Sequence, residues 1–169
     1  MDDPNTIHCL RNIQRGSVVR RIATIVIFAC LVYFQSQWSS QTCAWMIVSF
    51  LIILDCIDYP VGCDTKTWNY QYRDKINDLL SYLLVGLCFP LYRADFLFYM
   101  FVCIRSIGVF YFITTRNAQY LVLFPDFIKE YLLLRFALQI TNPWIMAIFF
   151  FCKMGFEYYF HTLVNHKIY

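Results

Sequence analysis

Charge is scarce in this chain. Asp, Glu, Lys and Arg make up 15% of its 169 residues, and it has only 5 Gly and 5 Pro, a balance far from that of a soluble domain of this size. No CxxC pair occurs among Cys9, Cys30, Cys43, Cys56, Cys63, Cys88, Cys103 and Cys152, which fall mostly inside or beside apolar runs. They read as small buried hydrophobes rather than a disulfide framework. His8, His161 and His166 are too scattered for a zinc site. A Gly-rich phosphate loop, a GxSxG elbow and an internal repeat are all missing. No basic stripe with interleaved aromatics stands outside the apolar runs, so the net charge of +3 reflects membrane topology and no nucleic-acid partner is expected.

What the chain has instead is hydrophobicity: 60% of the residues are apolar and 20% aromatic. A bilayer core about 30 Å thick is crossed by apolar runs of roughly 17 to 25 residues. Six candidates occur, at 20–38, 43–58, 75–92, 96–114, 119–139 and 143–161. The second is short, and Pro125, Asp126, Lys129, Glu130 and Arg135 interrupt the fifth. The expected fold is therefore all-α, a polytopic membrane bundle of about six transmembrane helices. It divides into an N-terminal segment at 1–19, a transmembrane domain at 20–161 and a tail at 162–169.

Lys and Arg set the orientation, because loops retained on the cytoplasmic side collect them. Arg11, Arg15, Arg20 and Arg21 precede the first run; Lys66, Arg73 and Lys75 flank the second connection; Arg116 lies in the fourth, and Lys167 ends the chain. The first, third and fifth connections hold only Arg93. Both termini are thus expected on the cytoplasmic side of an integral, multi-pass protein, with the first run a retained signal anchor. Before that run, Ile7, Leu10 and Ile13 share one side of a helix and His8, Arg11 and Arg15 another, which suits a short helix in the headgroup layer or, alternatively, a disordered tail. Trp38, Trp45, Trp68 and Trp144 fall near run ends, as interfacial anchors do.

Chemistry concentrates between Leu51 and Leu84. Asp55 and Asp58 close one apolar run; Asp74 and Asp78 open the next, after fifteen intervening residues. On a helix the first pair lies roughly 60° apart and the second roughly 40°, so each pair shares a face. Four carboxylates gathered where a membrane helix meets water repel one another unless a counter-charge holds them. A hard divalent cation such as Mg²⁺ or Mn²⁺ is the natural candidate. Charges also lie deep in the later runs: Arg105 in the fourth, Lys129 and Glu130 in the fifth, Lys153 and Glu157 in the sixth. Such groups face the bundle interior, pair, or line a wet cavity. Lys153 and Glu157 can pair at i, i+4, as can Asp126 with Lys129 within a turn. Arg105 has no partner close in sequence, which points to an anionic phosphate or a carboxylate of the aspartate group.

The layout D-x-x-D, fifteen residues, D-x-x-x-D, between the second and third of six runs, resembles the CDP-alcohol phosphotransferase (CDP-alcohol phosphatidyltransferase) family. These integral membrane enzymes move a phosphatidyl group from a CDP-linked lipid onto an alcohol. The resemblance covers roughly Leu51 to Asn117 and includes the segment CIRSIGVFYFITTRN with Arg105 in the fourth run. Where the family signature has Gly and then Ala-Arg after its second Asp, this chain has Tyr59, Gly62 and Cys63, and its connection is two residues shorter. The resemblance implies metal binding by Asp55, Asp58, Asp74 and Asp78, with Asp78 also the general base on the incoming alcohol. It implies substrate contacts from Arg105, with Lys66 or Arg73 in place of the lost Arg and Lys129 nearby. The implied partners are membrane lipid, a nucleotide-linked lipid and a small alcohol, and self-association as a homodimer is compatible with it. The alternative is a non-catalytic multi-pass protein, such as a channel, transporter subunit or assembly factor, or an inactive relative.

Overall fold

The computed structural model describes residues 4–57, 68–89, 92, 95–117 and 119–159, and no strand occurs among them. The helices are α1 (Pro4–Phe34), α2 (Ser40–Ile57), α3 (Trp68–Cys88), α4 (Phe96–Thr115), α5 (Gln119–Leu123), α6 (Ile128–Leu132), which runs on into a π-helical turn at Leu133–Ala137, and α7 (Pro143–Tyr158). Helix thus covers each of the six apolar runs, the fifth in two pieces. Two stretches, Arg11–Gln37 and Phe96–Thr115, are long and apolar enough to cross a membrane, while Ser40–Asp55 is apolar but shorter.

Three boundaries differ from the sequence expectation, each for a packing reason. α1 is continuous from Pro4 through the expected boundary at 19/20, where one stripe of Ile13, Ser17, Arg20, Thr24, Phe28 and Leu31 stays buried along it at intervals of three and four residues. α3 begins at Trp68 rather than near Asp74, because Tyr70 is buried and the Trp68 ring packs 4.9 Å from Phe112 of α4. Asp74 and Asp78 therefore lie inside α3, beyond its first turn and away from the field of its N-terminus. The fifth run breaks at Pro125, Asp126 and Phe127, between α5 and α6. Pro125 carries no N–H, so the carbonyls ending α5 lose helical donors.

α1 packs on α2 and α3, α3 on α4, and α4 on α5 and α6; α2 lies against α6 and the π turn, and α5 against α7. A central apolar cluster includes Phe28, Ile47, Leu51, Tyr82, Phe98 and Phe127. Asp95 caps α4 by accepting from the Phe98 N–H at 2.9 Å, and Asn142 caps α7 by accepting from Trp144 N–H at 3.0 Å, with Pro143 in the first turn. Charged residues are buried beside the apolar core, and large apolar residues are exposed. Arg20, Asn77, Asp78, Arg105, Asp126 and Glu157 are buried, whereas Ile22, Ile25, Phe110, Ile148 and Phe151 are exposed. Exposed apolar residues of this kind are consistent with a membrane protein.

Gly86 and Gly108 mark close approaches between helices. At Gly108 an added methyl would collide with the Phe124 side chain, whose Cγ would stand 3.1 Å away, and with the Phe124 carbonyl oxygen at 3.3 Å. Replacing a helical Gly by Ala ordinarily stabilises by about 1 kcal/mol. Here overpacking against backbone should reverse the sign: Gly108→Ala is expected to destabilise by about 1–3 kcal/mol, read as a lower melting temperature in detergent. An unchanged or raised melting temperature would show that α5 is not fixed against α4.

Candidate functional site

The site is built around one guanidinium. Arg20 sits on the buried stripe of α1 and its side chain is 1% exposed. Its Nη2 donates to Asp55 Oδ1 at 2.9 Å and Asp78 Oδ1 at 2.7 Å, and its Nη1 donates to Asp74 Oδ1 at 3.0 Å. α2 delivers Asp55 at its last turns, while α3 presents Asp74 and Asp78 from one face, as their spacing dictates. The remaining oxygens take lysines. Lys75 Nζ donates to Asp74 Oδ2 at 2.6 Å and stands 3.9 Å from Asp78 Oδ2, and Lys129 of α6 donates to Asp55 Oδ2. α1, α2, α3 and α6 thus meet through charge.

A second set of bonds joins α1 to α3. Arg21 Nε donates to Asn77 Oδ1 at 2.9 Å, and Asn77 Nδ2 donates to Ser17 Oγ at 3.2 Å. A polar seam therefore runs between α1 and α3, with both Ser17 and Asn77 buried. The bond from Arg21 is charge-assisted, a kind roughly twice as strong as a neutral one such as that between Asn77 and Ser17.

Beside the cluster lies a cavity of about 330 Å³. Asp55, Asp74, Asp78, Asp126, Glu130 and Glu157 line it, together with Lys75, Arg105, Lys129 and Lys153. Lys153 Nζ donates to Glu130 Oε1 at 2.8 Å and lies 3.8 Å from Glu157 Oε1, so the i, i+4 pair expected on α7 forms alongside a contact between helices. Tyr82 donates to Asp126 Oδ2 at 2.6 Å. Asp126 Oδ1 and Glu130 Oε2 are buried and have no hydrogen-bond partner among the described residues. Unpartnered buried carboxylate oxygens are costly, and here both belong to residues that line one chamber.

Of the residues expected at the site, Asp55, Asp74 and Asp78 come together, and Lys129 joins them through Asp55 rather than pairing with Asp126. Asp58 and Lys66 lie outside the described residues. Arg73 is half-buried on α3 and forms no ion pair with Asp55, Asp74 or Asp78 among the described residues. Arg105 does not reach the aspartates as expected. Its Nη1 donates to the carbonyl oxygens of Phe124 at 3.0 Å and Leu121 at 3.5 Å, and its Nε stands 3.9 Å from Asp126 Oδ2. Arg105 caps the interrupted fifth run, taking up the carbonyls left free before Pro125. Cys9 likewise departs from the reading of the cysteines as free thiols: it is disulfide-bonded, whereas Cys30, Cys43, Cys88, Cys103 and Cys152 are free.

The donor chemistry suits a hard cation. Asp55 and Asp78 offer oxygens to a single nitrogen, so a modest closing of these side chains brings them within the 2.0–2.6 Å or so that Mg²⁺, Mn²⁺ or Ca²⁺ requires. In the observed arrangement Arg20 holds that centre, and among the described residues no group of three or more His, Cys, Asp or Glu is set out to hold a metal ion.

Sequence reasoning used Arg20 and Arg21 only as topology markers and did not single out Asn77 or Tyr82. The available signal was the stripe Ser17, Arg20, Thr24, three polar residues at intervals of three and four that end in Phe28 and Leu31. Burial ranks the three aspartates for experiment. With divalent cations absent, Asp78→Asn should destabilise most, on the order of 3 kcal/mol, since its side chain is 5% exposed. Asp74→Asn at 16% exposure should follow, and Asp55→Asn at 39% should cost least. Chemical denaturation of the detergent-solubilised variants tests the order, and an inverted ranking would mean that Arg20 is not their common partner.

Compared with models of protein families, with curated proteins and with solved structures, the chain matches none.

Proposed function

We propose that the chain is a multi-pass membrane phosphotransferase of phospholipid synthesis, dependent on a divalent cation, which moves a phosphatidyl-type group from a nucleotide-linked lipid onto an alcohol. The observation that carries the reading is the convergence of Asp55, Asp74 and Asp78, from two helices, on a charged cavity inside an outwardly apolar bundle. In this reading the helices over the six apolar runs all cross the bilayer, and the aspartates lie at the cytoplasmic boundary. Asp55, Asp74 and Asp78, with Asp58, hold Mg²⁺ or Mn²⁺, which when bound neutralises charge on the diphosphate of the donor. Asp78, the most enclosed of the three, takes the proton of the incoming alcohol. Lys129, Lys75 and Lys153 line the cavity and offer an anionic phosphate its cationic contacts.

Purified protein supplied with nucleotide-linked lipids and Mg²⁺ or Mn²⁺ should release nucleoside monophosphate. Asp78→Asn should lower that rate by at least about a hundredfold, the usual scale of a general base. Absence of both nucleotide release and divalent-dependent stabilisation in the wild type, across several donors, would sink the enzyme reading.

One observation favours the second reading, a non-catalytic relative. The three aspartates are already neutralised by Arg20, Lys75 and Lys129, so the cluster can act as a clamp that ties α1 to α2, α3 and α6. In that case Asp78→Asn changes stability while no donor is turned over.

The orientation is tested separately. A single cysteine introduced at Asn117 should be labelled from the cytoplasmic side and one at Thr141 from the opposite side, both positions being exposed. The bond at Cys9 gives this experiment weight, because disulfides persist in oxidising compartments. Labelling of Asn117→Cys from the non-cytoplasmic side would invert the bundle.

A further inference from the structure

The oxygens that would hold a cation are the same oxygens that now hold Arg20. Each of the three aspartates gives Oδ1 to the guanidinium, while Oδ2 of Asp55 and of Asp74 accepts from Lys129 and Lys75. A divalent ion that takes the three Oδ1 atoms as ligands must displace the donor they share. That donor is Arg20. It is the only donor shared by all three carboxylates among the described residues, and two positive centres cannot occupy one point at low dielectric.

We propose that Arg20 is a displaceable internal counter-ion, competing with a divalent cation for Asp55, Asp74 and Asp78 and so setting how readily the cluster takes up metal. This rests on the reading of the aspartates as a cation site. Before metal arrives, the guanidinium prevents mutual repulsion of the carboxylates and keeps α2 and α3 in register with α1. Beside the three carboxylates lie further acceptors. The chamber lined by the aspartates is also lined by Asp126 and Glu130, each with a buried oxygen lacking a hydrogen-bond partner among the described residues. Those oxygens are acceptors that the observed arrangement leaves unused. Arg20 acts here as a positioning residue whose effect is read in metal affinity.

The test uses the full chain in detergent, with Mn²⁺ as the probe. Thermal unfolding is followed across a Mn²⁺ titration for the wild type and for Arg20→Gln, which keeps a polar group and removes the charge. Arg20→Gln should melt lower without metal and bind Mn²⁺ at least about tenfold more tightly, a factor worth 1.4 kcal/mol. In parallel, wild-type Arg20 is probed with an arginine-specific dicarbonyl reagent and read by mass spectrometry. Its labelling, low without metal because the side chain is enclosed, should rise as Mn²⁺ is added.

Equal Mn²⁺ affinity in wild type and variant, with unchanged Arg20 labelling, overturns the competition and leaves the cation site standing. No Mn²⁺ stabilisation of either protein overturns the cation site and the competition together. Should Arg20→Gln fail to fold, wild-type labelling decides: a rise with Mn²⁺ supports displacement, and a flat response throughout the titration overturns it.

Discussion

A buried guanidinium must find anions, and much of this structure follows from how Arg20 finds them. The charge is carried on α1, yet its partners lie 35, 54 and 58 residues along the chain on α2 and α3. Desolvating such a group without partners costs several kcal/mol, so the helices that bring Asp55, Asp74 and Asp78 to it are fixed in rotation as well as position. Side-chain packing adds shape to that constraint. Phe28 and Leu31 continue the same stripe of α1 into the apolar cluster, so the face that presents Arg20 is also the face that buries hydrocarbon. Rotating α1 to release the charge would expose the stripe.

The broken fifth run shows the same logic applied to backbone. Irregular chain at membrane depth is tolerated only where protein or trapped water satisfies it. At this break Arg105 supplies donors to the Leu121 and Phe124 carbonyls, Tyr82 binds Asp126, and Gly108 lets Phe124 come close to α4. The interruption is therefore assembled by α3 and α4 together. It also turns Asp126, Lys129 and Glu130 inward, and without it the cavity would lose much of its charged lining.

Asp74 and Asp78 were legible in the sequence because their spacing alone puts them on one face, and Asp55 because it closes an apolar run. The interruption of the fifth run was equally plain from Pro125 and its charged neighbours. What spacing could not give was direction. Arg20 and Arg21 sit where positive charge marks the cytoplasmic side, and nothing local distinguishes an arginine facing headgroups from one facing the bundle. Only the polar stripe with Ser17 and Thr24 carries that information, and it reads clearly once α3 is in place. Arg105 lines the cavity, but its contact with the aspartates was wrongly expected, for a related reason. Its strongest partners are backbone carbonyls, and a sequence does not advertise carbonyls left free by a distant proline. The start of α3 was placed late because Trp68 and Tyr70 join the helix through packing on partners that a hydropathy window does not see.

The long sequence separation of the Arg20 ion pairs has a consequence for biogenesis. α1 is made first, and at ordinary synthesis rates of about 5–20 residues per second Asp74 follows Arg20, 54 residues later, after roughly three to ten seconds. Asp55 of α2 offers the guanidinium its first partner 35 residues after Arg20, and Asp74 and Asp78 complete the set only when α3 is made. On the proposed reading of α1 as a membrane span, its depth and rotation are therefore settled in stages, by segments that the ribosome has not yet made when α1 emerges.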